Sequence, residues 1–218
     1  MIRYRKGTCP DELPAYAATP GADWQGFAGK QAVRDALVRD QHHLCAYCQR
    51  RISPTPDMKI DHWLPRSDAR EGKAGEFDWG NLVGACSGEP RGGAHGLSRH
   101  CDTSRGDRPV DEQRLYLHPV EGRGPDPRNH VRYQANGTAY AFPASDAVEH
   151  DLDLLNLNCK YLKEGRAQIL SRLEERLKKV GFTPAHVQSL FDEVEESPGT
   201  PFVEVARDYL RRKLRQVS

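Results

Sequence analysis

Residues 59–67 read KIDHWLPRS and place a carboxylic acid, Asp61, directly beside an imidazole, His62. An imidazole titrates near neutral pH and can accept a proton from water, whereas a carboxylate can bind a hard divalent metal. Adjacent residues of a strand point to opposite faces, so the two groups can converge on one substrate only where a strand ends. Pro65 favours such an end, because proline rarely continues a central strand. On its own an Asp-His pair is more often structural, and the surrounding residues must support any chemistry.

Cysteines flank this stretch on both sides. Two thiolates separated by two residues, as in C-A-Y-C at 45–48, can bind one tetrahedral metal from a tight turn. The pattern predicts a structural zinc site whose ligands are Cys45, Cys48, Cys86 and Cys101. Either His95 or His100 could replace one cysteine, because sites with three thiolates and one imidazole are also common. The alternative, a redox-active C-A-Y-C pair, needs a strand-to-helix context, whereas here a helical pattern precedes the motif.

Composition and charge set wide limits on function. The 218 residues are 37% hydrophobic and 29% charged, which is ordinary for a globular protein. The sequence has no apolar run long enough to span a membrane, and its start lacks the apolar segment of a secretory signal. We therefore expect a cytoplasmic protein, in which six cysteines favour metal binding over disulfides. A net charge of +1 gives no argument for nucleic-acid binding beyond a local basic patch.

The periodicity predicts an α+β fold in four segments. Residues 1–29 show no clear period and are expected to form an extended arm. A core that contains the Asp-His pair and the four cysteines is expected over 30–112, beginning with a helix over 30–43. A connection over 113–145 contains a hairpin predicted at Asn136-Gly137, which favours a type I′ turn, with Val131 and Tyr133 alternating before the turn and Tyr140 and Phe142 after it. Residues 146–218 are expected to be helical.

Within the helical region the sequence also predicts some boundaries. Gly181 is expected to end one helix, and Thr183-Pro184 to supply the N-cap and first residue of the next. A last helix is expected from about Pro201.

Two further residues complete a known pattern. Asn81 lies between the cysteine pairs, and Asp102 follows Cys101 directly. The segments LCAYCQRRI, KIDHWLPRS, WGNLVGAC and HCDTSRGD resemble, in this order, the core of the HNH nucleases, whose fold is a zinc-stapled ββα-metal unit.

The resemblance implies a role for each matching residue. His62 would be the general base, Asn81 would orient the loop that carries it, and Asp61 and Asp102 would bind a catalytic Mg²⁺ or Mn²⁺. The family commonly has His or Asn at the position of Asp102, so this carboxylate favours a hard metal ion. Residues expected to contact nucleic acid are Arg66, Arg91, Arg99 and Arg105.

A narrower resemblance covers most of the chain. The segment Leu117-His118-Pro119, residues 130–133 and the LNLN segment at 155–158, followed by Leu162 and Arg166, are similar to the retron- and Septu-associated HNH nuclease subunits (PtuB-like). The resemblance implies an anti-phage defence system in which the nuclease acts with an ABC/SMC-like ATPase and, in a retron, a reverse transcriptase. It favours DNA over RNA as the substrate.

Two other functions remain open from the sequence. A zinc-stapled module without catalysis would bind nucleic acid or an ATPase, but it has no need of Asp61, His62, Asn81 and Asp102 together. A nuclease directed at RNA, such as tRNA, would carry the same residues, because this chemistry does not use a 2′-hydroxyl.

Overall fold

The fold combines short strands with helices. A computed structural model describes residues 1–68, 71–89 and 99–217. Its strands are β1 (Lys59–His62), β2 (Leu82–Ala85), β3 (Val131–Tyr133) and β4 (Ala139–Ala141). Its α-helices are α1 (Glu12–Ala17), α2 (Lys30–Asp40), α3 (Asp102–Arg105), α4 (Pro127–His130), α5 (Asp146–Leu154), α6 (Lys160–Val180), α7 (Pro184–Glu195) and α8 (Val203–Val217). The α+β class predicted from the sequence is confirmed. No helix in the described ranges is long and apolar enough to cross a membrane.

The first sheet positions the Asp-His pair. β1 and β2 are antiparallel, with Asp61 opposite Val83 and His62 opposite Leu82. β1 ends at His62, as predicted from Pro65. Helix α2 packs against both strands.

Helix α2 is shorter than predicted. It ends at Asp40 rather than at residue 43. His42 and His43 have φ angles of 51° and 62°, in the left-handed region that a right-handed helix cannot include. The chain therefore turns sharply before it enters the first cysteine pair.

The first segment is not the extended arm that was predicted. Residues 12–17 form α1, and Ile2, Leu13 and Trp24 are buried against the rest of the chain. These side chains reach the core one at a time from turns and a single short helix. A periodic pattern is absent for that reason, although the segment is well packed.

The hairpin lies where it was predicted, but its turn and the buried face of its second strand, β4, differ from the prediction. Gly137 has a φ of 81°, whereas Asn136 has no positive φ, so the turn is not type I′. The amide of Gly137 donates to the carbonyl of Gln134 at 2.8 Å, which fits a longer loop ending in a left-handed glycine. Ala139 and Ala141 face the core, and Phe142 is 55% exposed.

The helical region agrees more closely with its prediction. The hydroxyl of Thr183 accepts a hydrogen bond from the amide of His186, and Pro184 is the first residue of α7. Gly181 has a φ of 91° just after α6. The last helix begins at Val203, close to the predicted Pro201.

Two hydrophobic clusters stabilise the described chain. The larger draws on all four predicted segments, including Leu13, Leu37, Val131 and Leu162. The smaller joins α6, α7 and α8 through Leu177, Val187, Leu210 and their neighbours. The segment boundaries themselves stay a prediction.

Asn158 connects the hairpin to the helical region. Its side chain accepts from the amide of Ala139 and donates to the carbonyl of Ala139, each at 2.8 Å. The side chain of Arg166, buried on α6, also donates to Asn158 at 3.3 Å. The last asparagine of the LNLN segment therefore pairs with β4 as a further strand would.

We expect Asn158→Ala to lower the free energy of unfolding by about 1–3 kcal/mol, because it leaves both backbone groups of Ala139 without this partner. Urea denaturation measures the change. Asn129→Ala, at an exposed position, is the matched control. Equal losses in the two variants would contradict the structural role of Asn158.

Candidate metal centre and active site

Four cysteine sulfurs converge at one point. The Sγ atoms of Cys45, Cys48, Cys86 and Cys101 all lie within 4.8 Å of one another. Three of these residues are buried, and Cys86 is half-buried. The predicted cysteine set thus comes from three separate parts of the chain: the C-A-Y-C turn, the residue after β2, and the residue before α3.

The spacing of the sulfurs fits a tetrahedral metal. The distances Cys45–Cys101, Cys48–Cys86 and Cys86–Cys101 are 3.8, 3.7 and 3.8 Å. Zinc–sulfur bonds of about 2.3 Å in a tetrahedron place sulfurs about 3.8 Å apart, whereas a disulfide requires about 2.05 Å. The cluster could therefore hold zinc.

Burial disfavours the thiolate form of these cysteines unless a cation lies among them. It raises the pKa of the Cys48 and Cys101 thiols well above the usual value, whereas hydrogen bonds from neighbouring thiols, Cys101 first, lower that of Cys86. Thiolates at all four positions need a bound metal to compensate their charge.

His100 lies beside the cluster. Its Nδ1 is 3.2 Å from the sulfur of Cys101 and 3.8 Å from that of Cys86. It is fully buried, and its Nε2 has no hydrogen-bond partner in the described part of the chain. The four sulfurs already supply the four ligands of a tetrahedral metal, so His100 lies beside the ligand set and is not part of it. His95, the other candidate, lies outside the described residues.

A tyrosine connects the cysteine cluster to the Asp-His pair. Tyr47, between the first two cysteines, is fully buried, and its hydroxyl donates a short hydrogen bond to Oδ2 of Asp61. The turn that presents two sulfurs therefore also positions one of the predicted metal-binding carboxylates.

Asp61 and Asp102 meet around a buried guanidinium. Nη2 of Arg105 lies 2.5 Å from Oδ1 of Asp61 and 3.5 Å from Oδ1 of Asp102. Burial raises the pKa of Asp61 to about 7, although the positive charge of Arg105 opposes the shift. Burial also disfavours ionisation of Asp102, but Arg105 and its neighbours together hold the pKa of Asp102 below the usual value. Of the two carboxylates, Asp102 is the more exposed, with 24% of its side chain accessible.

His62 is fixed in a defined orientation. Its Nε2 lies 2.9 Å from the carbonyl oxygen of Glu76, which can only accept, so Nε2 carries a proton and Nδ1 keeps a lone pair. The edge of Trp24 packs on the imidazole, with ring centroids 4.8 Å apart. Burial lowers the pKa of His62 to about 4, so the ring is neutral at pH 7.

Asn81 joins the two segments that surround His62. Its Oδ1 accepts from the amide of Leu64 at 2.7 Å, and its Nδ2 donates to the carbonyls of Leu64 and Gly75 at 3.1 and 2.9 Å. Leu64 follows the histidine, and Gly75 precedes the residue whose carbonyl orients it. The side chain of Asn81 thus fixes both segments.

The predicted nucleic-acid contacts differ in position. Arg66 is partly exposed and pairs with Glu76, next to His62, at 3.3 Å. Arg99 is exposed and pairs with Asp107 at 3.1 Å. Arg91 lies outside the described residues.

Arg105 does not have the position expected of a nucleic-acid contact. It is only 2% exposed, and its side chain also donates to the carbonyls of His62 and Trp63. Its guanidinium binds groups inside the site, namely Asp61 and these two carbonyls.

Several contributors were not singled out from the sequence. Tyr47, Lys59 and Glu76 each contact a predicted site residue. Lys59 carries a signal that could have been used, because it lies two residues before Asp61 on the same face of β1. Glu76 carries none, since its contribution to His62 is a backbone carbonyl.

We expect the chain to bind zinc through the four sulfurs, and Cys48→Ser to lower the zinc content and destabilise the fold by several kcal/mol. Elemental analysis and thermal unfolding measure the two effects. Cys9→Ser is the matched control, because Cys9 is half-buried and lies outside the cluster. Equal zinc contents in the two variants would exclude this ligand set.

Comparison with known proteins adds one relative. No protein-family model matches the chain. It is 24% identical over 190 residues to the "Retron Vc95 putative HNH endonuclease" of Vibrio cholerae serotype O1 biovar El Tor, in an alignment that covers 79% of this chain and 84% of the relative. The motifs of this chain predict a resemblance to the retron-associated HNH endonucleases, and the comparison confirms that resemblance.

Proposed function

We propose that this protein is a metal-dependent HNH endonuclease that hydrolyses phosphodiester bonds. The observation that carries the proposal is His62, a neutral imidazole with an Nδ1 lone pair at the end of β1, directly after Asp61, whose carboxylate shares Arg105 with Asp102. The order β1, β2, α3 around the cysteine cluster supports a ββα-metal core. The name of the Vibrio relative supports the same chemistry.

His62 supplies the base of the proposed reaction. A water molecule loses a proton to Nδ1 while its oxygen forms a bond to phosphorus, and the bond from phosphorus to the leaving oxygen breaks. The Glu76 carbonyl keeps the proton on Nε2, so the ring receives the new proton only on Nδ1. Asn81 fixes the segments on both sides of the ring and limits its rotation.

Asp61 and Asp102 fit a hard divalent ion, because they supply only oxygen donors. Bound Mg²⁺ or Mn²⁺ would stabilise the negative charge that develops on the phosphate oxygens. Arg66, partly exposed and paired with Glu76 at 3.3 Å, is the proposed contact of the phosphate.

Substrate and partners rest on the resemblance. DNA is the proposed substrate, acted on in an anti-phage defence system together with an ABC/SMC-like ATPase and, where the system is a retron, a reverse transcriptase. The relative's name links it to a retron, which supports this context. Near-neutral net charge favours weak binding by the chain alone, and thus dependence on a partner.

One observation favours the non-catalytic alternative. Both carboxylates already pair with cations, Asp61 with Arg105 and Asp102 with Lys59. A zinc-stapled binding module could keep these pairs permanently. Such a module would bind nucleic acid or the ATPase without cleavage under any divalent metal.

We expect His62→Asn to lower the cleavage rate by at least about 100-fold, because the side-chain amide of asparagine cannot accept the proton from water. Cleavage of plasmid DNA with Mg²⁺ or Mn²⁺ measures the loss, and zinc content and thermal stability are measured in parallel.

The control for this experiment is His150→Ala. His150 also contacts a backbone carbonyl, that of Glu112 at 3.1 Å, but it is exposed. If His62→Asn cuts as fast as the wild type, His62 is not the base.

We expect DNA to be cleaved in preference to RNA, and cleavage to increase when the proposed ATPase partner is added. Matched DNA and RNA substrates, each with and without the ATPase, measure both effects. Preferential cleavage of tRNA would favour the RNA-directed alternative. Binding without cleavage under every metal would favour the non-catalytic module.

A further inference from the structure

Lys59 lies at the open side of the candidate metal site. It is two residues before Asp61 on β1, and both side chains lie on the same face of the strand. Its Nζ is 3.2 Å from Oδ2 of Asp102 and donates to the hydroxyl of Thr103 at 2.8 Å. Of its side-chain surface, 40% is exposed. The ammonium group thus neutralises the more accessible of the two carboxylates from the solvent side.

Arg105 occupies a very different environment. It is buried, and besides Asp61 it donates to the carbonyls of Trp63 and His62 at 3.0 and 2.8 Å. These buried carbonyls would lose their donors if the guanidinium moved, which is unfavourable for buried acceptors. Arg105 is therefore a fixed part of the site.

Each carboxylate oxygen of Asp61 already accepts one hydrogen bond. Arg105 donates to its Oδ1, and Tyr47 donates to its Oδ2. Asp102, in contrast, pairs with the half-exposed Lys59 at 3.2 Å and has a longer contact of 3.5 Å with Arg105. The place at which a cation can exchange most readily is the Oδ2 side of Asp102.

We propose that Lys59 is an internal competitor of the divalent ion: its ammonium neutralises Asp102 in the metal-free site and leaves when the ion binds. The inference rests on the proposed nuclease function. Lys59 contacts Oδ2 of Asp102, whereas Arg105 contacts Oδ1, so Lys59 is the cation that an ion binding at Oδ2 would have to displace. Because Lys59 is half-exposed and flexible, its ammonium can move into water at little cost.

This competition weakens metal binding. An ion pair of this exposure is worth up to about 1 kcal/mol, which corresponds to about fivefold in an equilibrium constant. Removing the ammonium should therefore tighten binding of the divalent ion by on the order of fivefold. A purely structural surface pair would produce no such change.

The test is the affinity for Mn²⁺, measured by titration calorimetry and by the EPR signal of free Mn²⁺ on the zinc-loaded full chain. Wild type is compared with Lys59→Gln and with Lys178→Gln. Lys178 forms a matched exposed pair with Glu174 at 3.0 Å on α6, so this control removes the same charge away from the site. We expect about fivefold tighter Mn²⁺ binding for Lys59→Gln and no change for Lys178→Gln.

The possible outcomes separate the two proposals. Equal Mn²⁺ affinities for wild type and Lys59→Gln, or weaker binding by the variant, would overturn the role of Lys59 while cleavage by the wild type upholds the nuclease. Tighter binding in both variants would also overturn it, because the effect would then be one of net charge. Absence of Mn²⁺ binding in wild type and variants alike would overturn both proposals.

Discussion

The convergence of four sulfurs is the constraint on which the rest of the site depends. It joins the turn that contains Tyr47, the end of β2 and the residue before α3. Cys101 has a φ of 57°, an unfavourable value for a non-glycine residue, and its amide donates to the carbonyl of Leu155 at 2.8 Å. Both the ligand position and this hydrogen bond support that conformation. Because α3 begins at the next residue, the same conformation directs Asp102 towards β1.

Charge compensation is the second constraint. Two carboxylates in a partly buried site repel each other strongly, and each needs a cation or a donor nearby. Arg105, one turn after Asp102 on α3, reaches Asp61 and the two carbonyls at the end of β1. One buried guanidinium therefore connects α3 to β1 and compensates part of the negative charge of both acids. The chemistry and the stability of the site rest on the same contacts.

Local patterns in the sequence predict those parts of the fold and of the site that depend on residues close together in the chain. The C-A-Y-C spacing predicted one half of the cysteine cluster, Pro65 the end of β1, and Thr183-Pro184 the start of α7, each from a few neighbouring residues. The inward position of Arg105 was missed because it depends on partners more than forty residues away in sequence. The buried face of β4 was also missed, because Ala139 and Ala141 give a weaker apolar signal in the sequence than the more exposed aromatic residues beside them, such as Phe142.

The segments that carry the narrower resemblance have a physical explanation in the same contacts. Trp63, next to His62, donates to the carbonyl of Leu117 at 2.9 Å and stacks on His118 with ring centroids 4.3 Å apart. In the LNLN segment, the carbonyl of Leu155 binds the amide of Cys101, and the side chain of Asn156 donates to the carbonyl of Arg99 at 2.8 Å. One segment thus packs behind Trp63, next to His62, and the other behind Cys101. Residues after position 112 therefore form two sides of the candidate site and help to position it.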